Sequence, residues 1–301
     1  MKQIQEGILA SVPTVGRYAF FSVGPSADAA ALRQALQKLQ SLADGNQVVV
    51  GIGPLLTAAL GVSVPGLREM PHLSEHGVDV PSTPTAFWCW LRGSDRGALV
   101  LLTHTLENAL APALHLDRVV DAFRHGEPSA QHGRDLTGYE DGTENPEGEA
   151  AEAAAFVQGQ GAGLDGASFV AVQQWVHDLN AFEAMNTEDQ DNAMGRRRSD
   201  NEELEDAPET SHVKRTAQES FDPEAFVLRR SMPWAMSNKL GLLFVAFGNT
   251  LNSFEAQMRR MAGYEDGLID GLFKFSKPVN GAYLWCPPVQ DGKLDLRQLK
   301  I

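Results

Sequence analysis

Apolar and polar positions recur along the chain in two stretches, which a long turn-rich segment separates. Runs of β-branched and aromatic residues predict strands in the first stretch, at residues 18–23, 47–52, 85–91 and 98–102. Apolar residues at helical spacing predict two helices between them, over residues 27–42 and 106–114. The first stretch therefore mixes helices and strands in alternation.

The second stretch begins after residues 126–163, where glycines, acids and other turn formers predict a long loop. Strands are predicted beyond it, at residues 168–178, 226–230, 241–247 and 282–286. An amphipathic helix over residues 252–261 places Phe254, Met258 and Met261 on one face, which we interpret as core packing. Each half reads as strand, helix, two strands, helix, strand. We therefore expect an α+β fold of two similar units with antiparallel sheets and flanking helices, divided into residues 1–125 and 126–301.

Charge and cysteine content narrow the classes of function. The net charge of −14 disfavours binding to nucleic acid and to anionic membranes, because both carry negative charge. The two cysteines, Cys89 and Cys286, do not form a disulfide framework of the secreted kind. The first sixteen residues lack a signal-peptide pattern, and no apolar segment is long enough to span a bilayer. We expect a cytoplasmic protein that forms a homo-oligomer.

Three short segments are candidates for chemistry. Residues 138–146 (GYEDGTENP) place Asp141 between glycines, where the backbone can approach a flat ligand closely and an aspartate can accept a proton. A surface turn is the alternative interpretation of this segment.

The second segment centres on His212, which follows an acidic loop and precedes Lys214 and Arg215. A neutral imidazole can be an axial ligand of haem iron, and nearby cations can meet the haem propionates. The arginine run that begins at Arg196 offers another such cation, although solvated arginines are the simpler interpretation. Taken alone, a histidine such as His212 is more often a surface or core histidine than a ligand. The third segment contains Arg229 and Ser231, which share one side of a predicted strand.

Taken together and in this order, the three segments resemble the dye-decolorizing peroxidase family, and most of all its bacterial B-type branch. The G-x-x-D-G element matches residues 138–142, the haem-ligand stretch resembles residues 195–216, and the distal arginine strand resembles residues 229–233. Residues 275–288 are similar to the closing strand of the family. The resemblance covers nearly the whole chain and is stronger after residue 130. It implies duplicated ferredoxin-like units, with one haem b bound by the C-terminal half.

The resemblance also assigns roles to individual residues. It implies that His212 is the axial ligand of the haem iron and that Asp141, Arg229 and Ser231 lie on the peroxide side. The cofactor-binding residues that we expect are His212, Arg229, Arg196, Arg215 and Gly142. Asp270 is one candidate for the group that accepts a hydrogen bond from the ligand histidine. A serine at position 231 departs from the asparagine that this branch often carries, and it has a shorter reach.

The implied function is a haem peroxidase that uses hydrogen peroxide to oxidise dyes, phenols and other small electron donors. Asp141 can accept the peroxide proton only when it is ionised, and Arg229, which stays protonated, can stabilise the developing negative charge. Three alternatives stay open at this point: a haem-binding or haem-trafficking protein, an enzyme that releases iron from haem, and a haem-free α+β protein.

Overall fold

The first part of the chain forms four antiparallel strands with helices between them. A computed structural model describes residues 3–301. Its elements up to residue 125 are β1 (Val15–Val23), α1 (Ala29–Leu39), β2 (Val48–Ile52), α2 (Pro54–Leu60), β3 (Phe87–Gly93), α3 (Arg96–Leu110) and β4 (Leu114–Phe123). Strands predicted at residues 18–23, 47–52 and 85–91 are confirmed as β1, β2 and β3 with small shifts at their ends.

The second part repeats this pattern after a short hairpin and one helix. Its elements are β5 (Gly133–Arg134), β6 (Glu140–Asp141), α4 (Gly148–Ala155), β7 (Ser168–His177), α5 (Leu179–Glu183), α6 (Thr187–Met194), α7 (His212–Arg215), β8 (Leu228–Arg229), β9 (Met232–Met236), β10 (Lys239–Gly248), α8 (Asn252–Met261), β11 (Ser276–Pro278), β12 (Ala282–Cys286), β13 (Val289–Gln290) and β14 (Lys293–Leu294). Short 3₁₀ helices lie at Glu6–Ile8, Gln218–Ser220, Gly271–Lys274 and Arg297–Leu299. The helix and strand predicted at residues 252–261 and 282–286 are confirmed as α8 and β12.

The strand order shows that the two parts are duplicated ferredoxin-like units. The first unit has the order β4-β1-β3-β2, and all of its neighbouring strands are antiparallel. In the second unit the order is β12-β7-β10-β9, again antiparallel. Both orders place the fourth strand of the unit beside the first, then the third, then the second. The predicted α+β fold is therefore confirmed.

The two units close one sheet between them. The last strand of each unit meets the second strand of the other, through the pairs Trp285↔Ile52 and Ala122↔Trp234. With the β7–β10 pairing, eight strands form a closed barrel. Both units fill its interior, where the ring centroids of Trp90 and Phe247 are 6.3 Å apart. The division of the chain into domains at residue 125 stays a prediction.

The prediction of a strand at residues 98–102 is wrong, because this segment belongs to helix α3. The Asp95 side chain accepts a hydrogen bond from the Ala98 amide at 2.8 Å and caps the helix. Buried positions recur at helical intervals, at Leu99, Thr103, Leu106 and Leu110. Val100 and Leu101 are apolar although they are exposed, and they make the sequence of this segment look like the continuous apolar run of a buried strand.

The predicted loop over residues 126–163 contains more structure than its composition indicates. Helix α4 lies within it and packs Ala151, Ala154 and Ala155 inward. The hairpin of β5 and β6 also lies there, with Gly133 opposite Asp141 and Arg134 opposite Glu140. None of the helices within residues 3–301 is long and apolar enough to span a bilayer.

Candidate active site

A cavity lies on the outer surface of the barrel, where β7 and β10 pair. Alternate residues of these strands point into the barrel, so Gln173, Trp175, Leu242 and Phe244 face outward and line the cavity. Helix α8 and residues near α7 cover the opposite side. The apolar side chains of this wall are Phe254, Met258, Met261, Leu272 and Phe275. The confirmed helix face therefore serves partly as a cavity wall.

His212 enters the cavity from the first position of α7. Its Nδ1 atom lies 2.8 Å from a carboxylate oxygen of Asp270, whose side chain is fully buried. The other oxygen of Asp270 accepts a hydrogen bond from the Leu272 amide at 2.8 Å, which holds the carboxylate in place. An ionised carboxylate can only accept, so Nδ1 of His212 carries the proton. The Nε2 atom has no hydrogen-bond partner among residues 3–301, and its lone pair is available.

Asp141 and Arg229 approach the same cavity from β6 and β8. Asn145 holds these two elements together: its Oδ1 accepts from the Arg229 amide at 2.7 Å and its Nδ2 donates to the Arg229 carbonyl at 3.0 Å. The turn from Asp141 to Asn145 needs a glycine at position 142, because the φ of Gly142, +83°, lies in the left-handed region. This is the structural reason for the glycine, aspartate and asparagine at their spacing in the sequence.

The charges around Asp141 oppose one another. Burial raises the pKa of the Asp141 carboxyl above its ordinary value, and the positive charge of Arg229 partly offsets this effect. The negative charge of Asp135 raises this pKa further. The Arg229 guanidinium has no hydrogen bond or ion pair among residues 3–301, so its charge is free to act on groups in the cavity.

A second cavity, of about 760 Å³, lies behind Asp141 and Arg229, which form part of its wall as well. Gly142 and Ser231 line this second cavity and not the first. The Ser231 hydroxyl accepts a hydrogen bond from the Val245 amide at 3.3 Å. The structure thus brings together His212, Asp141 and Arg229, and it places Ser231 and Gly142 behind them.

The two other cations expected from the sequence have different surroundings. Arg196 lines the first cavity and forms ion pairs with Glu144 and Glu203, at 2.5 and 3.2 Å. A cofactor-binding role for Arg215 stays a prediction. Arg215 is buried outside the cavity lining, and its guanidinium donates to both carboxylate oxygens of Asp266, at 2.6 and 2.8 Å.

Sequence reasoning missed a polar cluster in the same cavity. His177 lies between Asp135 and Ser276, with its Nε2 atom 3.0 Å from the carboxylate and its Nδ1 atom 2.7 Å from the hydroxyl. Residue alternation along β7 was the one available signal, since it places His177 on the same face as Gln173 and Trp175. Asp135 and Ser276 carry no comparable signal, because they are remote from His177 in the sequence.

Comparison with known proteins agrees with this fold. A family model described as "Dyp-type peroxidase, C-terminal" matches residues 132–291. The dye-decolorizing peroxidase of Rhodococcus erythropolis is 29% identical over 289 residues, which cover 86% of this chain and 83% of that protein. That of Mycolicibacterium paratuberculosis is 28% identical and is matched over 59% of its length and 69% of this chain.

Solved structures of dye-decolorizing proteins are similar in fold to this chain over nearly its full length. A dye-decolorizing protein from Vibrio cholerae superposes with a TM-score of 0.83 at 28% identity, covering 98% of both chains. DyPB from Rhodococcus jostii superposes with a TM-score of 0.82 at 25% identity, covering 93% of this chain and 94% of that one. The protein is therefore an oxidoreductase of the peroxidase class. It belongs to the Dyp-type peroxidase family, as the sequence resemblance predicted.

Proposed function

We propose that the protein binds one haem b in the first cavity and uses hydrogen peroxide to oxidise dyes, phenols and other small electron donors. The observation that carries this proposal is the orientation of His212, whose Nε2 atom faces the cavity while Asp270 holds Nδ1 at 2.8 Å. A carboxylate on the far nitrogen makes an imidazole a stronger iron ligand. A variant of R. jostii DypB has been solved in complex with heme, and its fold superposes on this chain with a TM-score of 0.83 at 24% identity.

The residues present fit a flat, largely apolar cofactor with two carboxylates. Aromatic and aliphatic side chains form the walls beside His212, as haem requires. We propose that Arg196, which lies on the cavity lining, meets one propionate. Its present partners, Glu144 and Glu203, are more than half exposed and can return to solvent when an anionic cofactor binds.

When bound, haem would supply the iron redox chemistry that the reaction with peroxide requires, and His212 would hold it. Asp141, when ionised, accepts a proton from the inner oxygen of the peroxide and returns it to the outer one. Arg229 remains charged and stabilises the negative charge that develops on the leaving oxygen. We propose a smaller role for Ser231, because its hydroxyl lines the second cavity and accepts a hydrogen bond from the backbone there.

The test is an absorbance experiment on haem-loaded wild type and His212→Ala. In the wild type we expect a Soret band that changes within the mixing time of peroxide and returns when a dye is added. In His212→Ala we expect the ligation spectrum to be lost. His104→Ala is the matched control, because His104 is an exposed histidine of α3. A wild-type Soret band that does not change when peroxide is added would contradict the proposal. Free porphyrin as the product would indicate release of iron from haem instead.

We propose that the protein is cytoplasmic, because its buried cysteines are consistent with a reducing environment. We also propose that it forms a homo-oligomer and belongs to the B-type branch of the family. Cys89 and Cys286 are both free, and burial raises the pKa of each thiol. Subcellular fractionation and light scattering test these two statements directly. Protein found only outside the cytoplasm, or a monodisperse monomer, would refute them.

A further inference from the structure

Four side chains form a continuous hydrogen-bonded chain, and three of them, Asp135, His177 and Ser276, line the first cavity. The Ser276 hydroxyl lies 2.7 Å from Nδ1 of His177, and Nε2 of His177 lies 3.0 Å from Asp135. The Thr137 hydroxyl donates to the other oxygen of Asp135 at 2.7 Å. The side chains of His177 and Asp135 are only 6% and 13% exposed. The proposed peroxide chemistry uses none of these four groups.

The hairpin of β5 and β6 places this cluster beside Asp141. Gly133 pairs with Asp141, and the Asp135 amide donates to the Tyr139 carbonyl at 2.9 Å, which continues the same register by two residues. Positions 135 and 141 therefore lie on one face of the hairpin as diagonal neighbours, for which a separation of about 7 Å is typical. Both side chains line the cavity.

The charge of Asp135 acts on Asp141, and His177 in turn acts on Asp135. Burial alone would raise the pKa of Asp135, but the hydrogen bonds from His177 and Thr137 and the imidazole charge outweigh it, so that the net pKa lies below the ordinary value. Asp135 is therefore ionised, and its charge opposes ionisation of Asp141. The hydrogen bond and the positive charge that His177 offers to Asp135 weaken this opposition.

We infer that the Asp135–His177 pair controls the ionisation of Asp141, and hence the pH range in which Asp141 can act as a base. The inference rests on the proposed function of Asp141 in peroxide cleavage. His177 and Asp135 are positioning residues in this scheme, since neither has to touch peroxide. Ser276 and Thr137 hold the two partners in register from either end.

Other charged groups face the cavity, and most of them are neutralised locally. The pairs among them are Arg134–Glu140, Arg196–Glu144, Arg196–Glu203 and Lys214–Glu209. Glu219 also lines the cavity, and the charges of Arg229 and of His212, which is bonded to Asp270, both act to lower the pKa of Asp141. Asp135 is the carboxylate on the same hairpin face as Asp141, and His177 reaches it from β7.

Infrared spectroscopy of the haem-loaded protein, labelled with ¹³C in the aspartate side chains, tests the inference. The carboxyl band that Asp141→Asn removes is followed as a function of pH in each variant. We expect Asp135→Asn to lower the midpoint of this titration by about one pH unit, because it removes a nearby negative charge. We expect His177→Gln to raise it, because it removes the compensating positive charge. A purely structural role would not move the midpoint in opposite directions.

Two further variants serve as controls. Asp117→Asn removes the same charge from an exposed His115–Asp117 pair on β4, whose atoms are 3.0 Å apart, and should leave the midpoint unchanged. Asp135→Glu retains the charge and should keep the midpoint near that of wild type, which preserves the comparison if His177→Gln does not fold. An unchanged midpoint in folded Asp135→Asn would overturn the inference. If the midpoint moves but the pH dependence of the peroxide reaction does not, the inference stands and the proposed role of Asp141 fails.

Discussion

The side chain of Asn145 forms the two hydrogen bonds of a β-ladder with the backbone of Arg229, at 2.7 and 3.0 Å. Through this contact the loop that carries Asp141 is attached to the strand that carries Arg229. The two side chains proposed for peroxide cleavage therefore share one support, although 88 positions separate them in the chain.

Replacing Asn145 by alanine should disturb both stability and chemistry. The backbone N–H of Arg229 would lose its side-chain partner and the C=O would keep only Nη1 of Arg230, at a cost of about 1–3 kcal/mol in the free energy of unfolding. We also expect a slower peroxide-dependent change of the Soret band, because Asp141 and Arg229 would no longer be held together. Urea unfolding and stopped-flow absorbance measure the two effects. Asn249→Ala, which removes a side-chain bond to the Ala153 carbonyl, is the control away from Arg229. An Asn145→Ala protein with wild-type kinetics would show that the support is dispensable.

Asp270→Asn should weaken cofactor binding without removing the proposed ligand. The amide can still contact Nδ1 of His212 but no longer makes the imidazole more basic. We expect a loss of about 10–100-fold in haem affinity, measured by transfer of haem to an acceptor protein. Asp178→Asn changes another aspartate helix cap and should leave haem affinity alone. Equal affinities of Asp270→Asn and wild type would argue against His212 as the ligand.

Arg215 and Arg196 should respond differently to substitution. Asp266→Ala leaves the buried guanidinium of Arg215 without its carboxylate, and we expect the free energy of unfolding to fall by about 1–3 kcal/mol. Haem affinity should be unchanged in that variant, because Arg215 lies outside the cavity lining. Arg196→Ala should show the reverse, with weaker haem binding and little loss of stability. If Asp266→Ala lost haem affinity more than Arg196→Ala, our assignment of the two arginines would be wrong.

Asp141 should destabilise the folded protein as pH rises. Its pKa is raised above the ordinary value of 3.8 by burial, so the folded state holds the proton more tightly than the unfolded state. Stability then falls as pH increases from 3.8 to the folded value. Asp141→Asn removes this loss, so the variant should gain stability relative to wild type on going from pH 3 to pH 7. Urea unfolding across this range measures the difference, and a difference independent of pH would refute it.

Asp135→Asn should show the opposite dependence on pH. The pKa of Asp135 is lowered in the folded state, so its charged form contributes stability above 3.8 that is lost as pH falls through the folded value. The variant should therefore be less stable than wild type at neutral pH, with a difference that shrinks in acid. The same unfolding series measures both aspartates, and matching slopes for the two variants would contradict these assignments.

The local sequence pattern predicted much of the secondary structure. It failed where the surroundings of a residue decide whether that residue is buried. The helix over residues 252–261 and the strand over residues 282–286 were predicted with their observed ends, because each has a single clear period. The segment at residues 98–102 failed because two of its apolar residues, Val100 and Leu101, face solvent. The burial of a residue cannot be deduced from its own side chain.

The site shows the same limit. Asp141, His212 and Arg229 were predicted because a family resemblance joins segments that are distant in sequence, and the structure brings them to one cavity. Arg215 lies outside the lining of that cavity, since adjacency to His212 in the chain does not place a side chain in the same space. The contact between His177 and Ser276 depends on the pairing of β7 with β11, and no local pattern encodes that register.

The closed barrel carries a symmetry that the sequence of the two halves does not show. Each unit offers its second and fourth strands as free edges, and each edge is covered by the complementary edge of the other unit. Two identical chains of four strands, related by a two-fold axis, would close the same ring through the same pair of seams. The protein thus has the geometry of an isologous dimer joined into one polypeptide. Only one of the two units carries the candidate site, since the lining of the first cavity comes wholly from residues after 125.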